Sequence, residues 1–161
     1  MIKRAVLGGG CFWGLQELIR QQPGVIKTTA GYAGGQVKNP TYENHTGHAE
    51  VVLVDYDDSK TSFKQLVDFF FQIHDPTTKD RQGNDIGGSY RSVIFYANNQ
   101  EKQTAVDFIE LVNKSGRWKN PVVTTLEKFV NFYSAEDYHQ DYLQKYPGGY
   151  TCHFIRFGSY L

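Results

Sequence analysis

Net charge, long hydrophobic runs and cysteine are all scarce in this chain. Lysine plus arginine number 17 and aspartate plus glutamate number 17, so the formal net charge is zero at pH 7. No basic surface for nucleic acid or anionic lipid is therefore indicated. No run approaches the ~18 apolar residues of a membrane-spanning helix, and the N-terminal apolar run is too short for a signal-peptide core. We expect a cytoplasmic protein that binds neither nucleic acid nor a membrane.

Only two cysteines are present, Cys11 and Cys152, and they lie near opposite ends of the 161 residues. A structural disulfide is unusual in a reducing compartment. Two interpretations remain, a catalytic pair that cycles between thiol and disulfide, and two unrelated thiols. The length is that of one domain, residues 1–161, and nothing in the composition requires more than a monomer.

Hydrophobic periodicity predicts the element order β-α-β-β-α-β, followed by a helix, a strand, a helix and a coil that carries Cys152. The predicted strands are Ile2–Leu7, Val25–Tyr32, His48–Tyr56, Tyr90–Tyr96 and Val122–Val130. The predicted helices are Cys11–Gln22, one that opens at Ser62 and carries an apolar stripe to Ile73, Asn99–Lys114, and Ser134–Lys145 with Ser134 as its N-cap. This order predicts an α+β fold, a ferredoxin-like split βαβ two-layer sandwich with a C-terminal helix/strand extension and coil.

Cys11 lies in the run GGGCFWG at 8–14, between the first predicted strand and the first predicted helix. The partial positive charge at a helix N-terminus stabilises a thiolate, which is the nucleophilic form of cysteine. The preceding glycines expose backbone and allow a substrate to approach, and Phe12 and Trp13 are placed to wall a small apolar pocket. The alternative is a buried, inert thiol.

Glu50 precedes the apolar run Val51–Val54. Partial burial there would raise the pKa of its carboxyl and make it a proton donor, whereas a solvated strand edge would leave it an ordinary carboxylate. The long polar loop Asp75–Gly88 is of a kind that usually carries function. Three side chains that can bind a polar oxygen lie near loops. Asp85 is in this loop, Tyr90 follows it, and Tyr42 is in the glycine-rich loop 33–46.

Two other kinds of site, a metal site and a phosphate-binding loop, fit these residues only in part. His45, His48 and Glu50 carry metal-ligand side chains, but no further ligand follows at a conventional spacing. The glycines before Cys11 lack the Lys-Ser/Thr pair of a phosphate-binding loop. Neither pattern therefore indicates a metal or nucleotide site strongly.

Six short motifs, taken in order, resemble those of the class A peptide methionine sulfoxide reductases. They are GCFWG at 10–14, AGYAGG at 30–35, NPTY at 39–42, TGHAE at 46–50, RQGND at 81–85 and YRS at 90–92. The resemblance implies reduction of the S epimer of methionine sulfoxide, free or in oxidised proteins, as protein repair under oxidative stress. It also implies thioredoxin as the recycling reductant, with no metal and no bound organic cofactor.

The resemblance further implies roles for individual residues. Cys11 becomes the nucleophile and is left as a sulfenic acid, Glu50 becomes the proton donor to the sulfoxide oxygen, and Cys152 becomes the resolving cysteine. The implied substrate pocket has an apolar methyl side and a polar side: Phe12 and Trp13, then Tyr42, Asp85 and Tyr90.

This chain departs from the family pattern in three places. Only seven residues separate Tyr42 from Glu50, where many members have a longer insert, and Ser89 stands where glutamine is common. A further recycling cysteine near the C-terminus, present in many members, is missing. The reductant is therefore expected to attack a Cys11–Cys152 disulfide directly.

The same residues would also suit a thiol redox sensor that binds a sulfoxide without turning it over.

Overall fold

A computed structural model describes all residues from Met1 to Leu161. The strands are β1 (Ile2–Gly8), β2 (Val25–Ala33), β3 (Ala49–Asp57), β4 (Arg81–Gln82), β5 (Asp85–Ile86), β6 (Val93–Tyr96), β7 (Thr125–Lys128) and β8 (Phe132–Ser134). The helices are α1 (Phe12–Ile19), α2 (Phe63–Ile73), α3 (Asn99–Lys114) and α4 (Tyr142–Lys145), with 3-10 turns at Gly88–Tyr90 and Asp137–His139. The fold is a mixed α+β arrangement, and none of its helices is long and apolar enough to cross a membrane.

Six strands form one mixed sheet in the order β7-β6-β1-β3-β2-β8, and β4 and β5 form a separate hairpin. β1 pairs antiparallel with both β3 and β6, β2 pairs antiparallel with β3 and β8, and β7 runs parallel to β6. The first six residues of β3 are buried, because neighbours cover both faces of this central strand.

The two faces of the sheet bury different amounts of apolar surface. On one face, side chains from α1, α2 and α3 pack on β1, β2, β3 and β6 in a cluster of 22 buried residues. On the other face, seven residues are buried, and the partly buried hydrophobic side chains that pack on them are Phe129 and Phe132. The helices therefore lie on the face of the larger core, and α1 begins directly where β1 ends.

Predicted elements with a strong periodic pattern are confirmed. The helix predicted from Ser62 is α2, and the Ser62 hydroxyl accepts a hydrogen bond from the Gln65 backbone N–H at 3.1 Å. The helix predicted over Asn99–Lys114 has those bounds, with the Asn98 side chain as its cap. Burial of one face, together with these caps, stabilises both helices in the way the periodicity indicates.

The helix predicted over Ser134–Lys145 is wrong. Ser134 ends β8 instead of capping a helix, and only Tyr142–Lys145 is α-helical. The Gln140 side chain accepts from the backbone N–H of Ala30 at 2.8 Å and donates to its carbonyl at 2.8 Å, which fixes the segment to β2. Asp141 then adopts a left-handed conformation with φ of 51°, so a continuous helix cannot pass through it.

Several other predicted bounds were too long. The first helix is Phe12–Ile19 with Cys11 at its N-cap position, not Cys11–Gln22. The strand predicted over Tyr90–Tyr96 begins only at Val93, because Gly88–Tyr90 forms a 3-10 turn. The strand predicted over Val122–Val130 is reduced to β7, and the loop Asp75–Gly88 contains the β4–β5 hairpin.

Candidate active site

Strand register brings Cys11 and Glu50 together. Leu7 on β1 pairs with Val52 on β3, so the chain leaving β1 runs past Glu50 as it enters α1. One Glu50 carboxylate oxygen, Oε1, accepts a hydrogen bond from the Phe12 backbone N–H at 3.2 Å. Cys11 is 6% exposed and Glu50 is 1% exposed. A thiol and a carboxyl group are thus buried together at the start of α1.

The Glu50 carboxyl is held in its neutral form at pH 7. Burial raises its pKa from 4.5 to about 8, with a smaller contribution from the charge of Asp85, while the hydrogen bond from Phe12 acts in the opposite direction. Its second oxygen, Oε2, is buried without any hydrogen-bond partner. A protonated carboxyl with one free oxygen can donate a proton to a ligand atom that enters the site.

The expected thiolate at Cys11 is not what the resting site favours. Burial, followed by the charge of Glu50, raises the pKa of the Cys11 thiol, and the backbone N–H of Trp13 lowers it by less. The helix N-terminus therefore favours the thiolate but does not outweigh desolvation. Cys11 stays protonated in the resting protein.

The residues expected on the polar side of the pocket converge on Glu50. Burial and then the charge of Glu50 raise the pKa values of the Tyr42 and Tyr90 hydroxyls, and Asp85 adds to both. Asp85, in β5, accepts a hydrogen bond from the Tyr150 hydroxyl at 3.0 Å. Two phenols and a carboxylate are therefore electrostatically coupled to the same buried carboxyl group.

Phe12 and Trp13 have different surroundings. Phe12 is fully buried, with its ring centroid 5.1 Å from that of His139, whereas Trp13 is half-buried. The Trp13 ring stacks on Tyr142 at 3.7 Å and 7°, and its indole N–H donates to His139 Nδ1 at 2.9 Å. Trp13 is thus the aromatic side chain that solvent reaches, and its position is fixed from two sides.

The segment 136–142 supplies residues that the sequence reasoning missed. The Glu136 carboxylate accepts from the Tyr32 hydroxyl at 2.8 Å and from the Tyr42 backbone N–H at 2.9 Å. His139 orients Trp13 as described above. The sequence pattern predicted a helix over Ser134–Lys145 and indicated no role for these side chains, although the run EDYHQ at 136–140 offered a signal in its Glu, His and Gln side chains.

Cys152 lies in the C-terminal coil beside the site, as a free thiol like Cys11. Burial and the charge of Asp85 raise its pKa, and its own charge is among those that raise the pKa of Cys11. His153 donates from Nε2 to the carbonyl of Gly9 at 2.6 Å, which fixes this coil to the loop before Cys11. At Gly83, with φ of 58°, a Cβ atom would lie 3.2 Å from the Cys152 Cβ.

His45 and His48, the two histidines of the alternative metal site, bind loop atoms in the structure. His48 accepts from the Gly35 N–H and bonds the Val37 carbonyl, while His45 contacts the Thr41 carbonyl and the Ser89 hydroxyl. No group of three or more His, Cys, Asp or Glu side chains is arranged to hold a metal ion. Both imidazoles instead position loops around the site.

Known proteins are similar to this chain in sequence and in fold. The peptide methionine sulfoxide reductase profile, PMSR, matches residues 3–158. The peptide methionine sulfoxide reductase MsrA of Mycolicibacterium gilvum is 59% identical over 156 residues, covering 97% of this chain and 92% of that protein. The MsrA of Mycobacterium tuberculosis is 58% identical over 97% of this chain and 86% of its own length.

Solved structures agree with these matches. Reduced Mxr1 from Saccharomyces cerevisiae superposes with a TM-score of 0.87 at 36% identity, over 97% of this chain and 93% of its own. Methionine sulfoxide reductase A of Corynebacterium diphtheriae superposes with a TM-score of 0.81 at 34% identity, over 93% of this chain and 77% of its own. Mxr1 in complex with Trx2 superposes at 0.66 with 29% identity, over 97% and 91%. The chain therefore belongs to the peptide methionine sulfoxide reductase MsrA family and is an oxidoreductase.

Proposed function

We propose that this protein reduces the S epimer of methionine sulfoxide, free or in oxidised proteins, and so repairs proteins under oxidative stress. The observation that carries the proposal is the Glu50 carboxyl, buried and neutral beside the Cys11 thiol, with one oxygen free of any partner. A sulfoxide oxygen is a poor leaving group until it is protonated, so a sulfur nucleophile needs such an acid at hand. No metal and no organic cofactor is required.

In the reductase step an oxygen atom passes from the substrate sulfur to Cys11. Glu50 gives its proton to the sulfoxide oxygen while Cys11 Sγ attacks the sulfur, and the proton of the Cys11 thiol returns to the Glu50 carboxylate. The bond formed between Cys11 Sγ and the substrate sulfur then breaks together with the substrate S–O bond, and a Cys11 S–O bond forms. The products are methionine and a Cys11 sulfenic acid, with Glu50 again protonated.

In the resolving step Cys152 attacks the Cys11 sulfenic acid, and a disulfide and one water molecule form. Thioredoxin then returns both residues to thiols by thiol–disulfide exchange. The hydrogen bond that fixes the Cys152 coil to the Gly9 carbonyl, two residues before Cys11, supports this order of events, and the yeast relative has been crystallised with a thioredoxin, Trx2. A reducing compartment suits the cycle, and we place the protein in the cytoplasm.

Epimer selectivity follows from a pocket with one apolar and one polar side. Trp13, backed by the buried Phe12, receives the methyl group. The oxygen faces Glu50 and the hydroxyls of Tyr42 and Tyr90, and Asp85 completes the polar side. The R epimer would place its oxygen against the indole and leave buried polar groups unpaired, at about 1–3 kcal/mol for each group.

An epimer-resolved reduction assay with dithiothreitol tests the proposal. The wild type should consume the S epimer only, and Cys11→Ser should be inactive. Without added reductant, Cys152→Ser should complete one turnover and retain a sulfenic acid on Cys11, and thioredoxin should not support its cycling. Activity in Cys11→Ser would overturn the assignment of the nucleophile. A peroxide-induced disulfide without any sulfoxide consumption would identify a redox sensor instead.

We further propose that the sheet core is a ferredoxin-like split βαβ sandwich. The support is the antiparallel order β6-β1-β3-β2, together with the packing of α1 and α2 in one apolar cluster on the same face. β7, β8 and α3 extend this core, and residues 1–161 form a single domain.

A further inference from the structure

Two large apolar side chains are exposed directly after Cys152. Phe154 is 58% exposed and Ile155 is 59% exposed. The preceding His153 is buried, so the chain turns one side to the protein and presents these two residues to solvent. Neighbouring exposed apolar side chains next to a reactive group are typical of an interaction surface.

This surface is held in place by Arg156. Its backbone N–H donates to the Gln72 carbonyl and its guanidinium to the Ile73 carbonyl, both at 2.8 Å, which ties the coil to the end of α2. The same guanidinium donates to the Cys152 carbonyl at 3.3 Å and lies 3.9 Å from the Phe154 ring centroid. One side chain therefore connects Cys152 with Phe154 and fixes the exposed ring beside the thiol.

We propose that Phe154 and Ile155 form the docking surface for the thioredoxin-type dithiol protein that reduces the enzyme. The proposal rests on the proposed function, because only a catalytic cycle ending in a Cys11–Cys152 disulfide requires such a partner. A protein reductant must bury surface around the sulfur that it attacks, and the centre of such an interface is apolar and aromatic. A small dithiol requires no such surface.

Burial decides which sulfur the partner reaches. Cys11 is 6% exposed, whereas Cys152 is only partly buried and lies in the coil that carries the surface. A thiolate of the partner attacks Cys152 Sγ, the bond between the two enzyme sulfurs breaks, and the Cys11 sulfur leaves with the electron pair. Glu50, protonated next to it, supplies the proton. The second partner thiol then attacks the mixed disulfide and gives up its proton, Cys152 leaves as a thiolate, and the partner is left oxidised. The two protons that the partner's thiols release return Cys152 and Glu50 to their protonated forms.

The test compares two reductants acting on the same variants. Phe154→Ser, Ile155→Ser and the double variant are assayed for methionine S-sulfoxide reduction with thioredoxin, thioredoxin reductase and NADPH, and separately with dithiothreitol. The double variant should raise the KM for thioredoxin about tenfold, equivalent to about 1.4 kcal/mol of binding. Its rate with dithiothreitol should stay within about twofold of wild type.

Matched variants separate docking from general surface effects. Val130→Ser removes a side chain that is 73% exposed between β7 and β8, and should leave both assays unchanged. Phe154→Tyr keeps an aromatic ring and should retain most of the thioredoxin response.

Three outcomes would overturn the docking surface. They are an unchanged KM for thioredoxin in the double variant, an equal loss with both reductants, and a concentration-dependent wild-type dimer that the double variant abolishes, since a second copy would then cover the patch. A wild type that fails to reduce methionine sulfoxide with dithiothreitol would instead refute the proposed function.

Discussion

Glu50→Gln should make the protein more stable above neutral pH, although it removes the proposed proton donor. The Glu50 carboxyl is 1% exposed, and burial is the main reason that its pKa rises from 4.5 to about 8. Burying the ionised form costs free energy, and the native state avoids this cost only while the carboxyl stays protonated. Glutamine still offers an oxygen to the Phe12 backbone N–H and never ionises.

The sign and size follow from proton linkage. Between pH 4.5 and about 8 the native state retains a proton that the unfolded chain has released. Stability is therefore fully present below pH 4.5 and falls as the pH rises, by about 1.4 kcal/mol per pH unit, until the native carboxyl itself ionises near pH 8. Over the whole range this amounts to about 5 kcal/mol.

Urea unfolding at intervals from about pH 5 to 9, with both thiols kept reduced, measures the effect. We expect the two curves to lie close together at the acid end and the variant to be more stable by several kcal/mol at the alkaline end. Glu110→Gln is the control, because Glu110 is exposed and paired with Lys114, and its curve should run parallel to wild type. Parallel curves for wild type and Glu50→Gln would show that Glu50 ionises normally, and would remove the basis for its role as an acid.

Two further perturbations test the surroundings of the site. His139→Phe leaves the Trp13 indole N–H without the acceptor that lies 2.9 Å away, at a cost of about 1–3 kcal/mol. In steady-state assays kcat/KM for the sulfoxide should fall by about 5- to 150-fold. An unchanged kcat/KM would show that Trp13 is positioned by stacking alone. Asp85→Asn removes a negative charge that raises the pKa values of both Cys11 and Cys152. Alkylation of the two thiols by iodoacetamide should therefore become faster at a fixed pH of about 8. An unchanged alkylation rate would contradict the electrostatic coupling.

Local patterns predicted elements more completely than they predicted the site. The apolar stripe ending at Ile73 predicted α2, because burial of one face of a helix produces that periodicity. The position of Glu50 before an apolar strand left both a solvated and a desolvated carboxyl open, and its burial in the structure favours the raised pKa.

Contacts between distant residues were not predictable in the same way. Gln140 bonds to Ala30 across 110 positions, and this contact replaces the helix that local propensity favours over Ser134–Lys145. The orientation of Trp13 by His139 spans 126 positions and was missed for the same reason. Tertiary hydrogen bonds overrode local preference, and nothing in a single sequence marks their partners.

The raised pKa values at the site lead to one conclusion about the chemistry. Reducing a sulfoxide with two thiols gives a thioether, a disulfide and one water molecule, so the two hydrogens of that water come from the thiols. Burial raises the pKa values of both Cys11 and Cys152, and each therefore keeps its hydrogen at neutral pH. An exposed thiolate would react with any oxidant at hand. In the mechanism we propose, the nucleophile forms only as a proton moves to a bound sulfoxide oxygen through Glu50, so desolvation would restrict the reactivity of Cys11 to a substrate that can accept that proton.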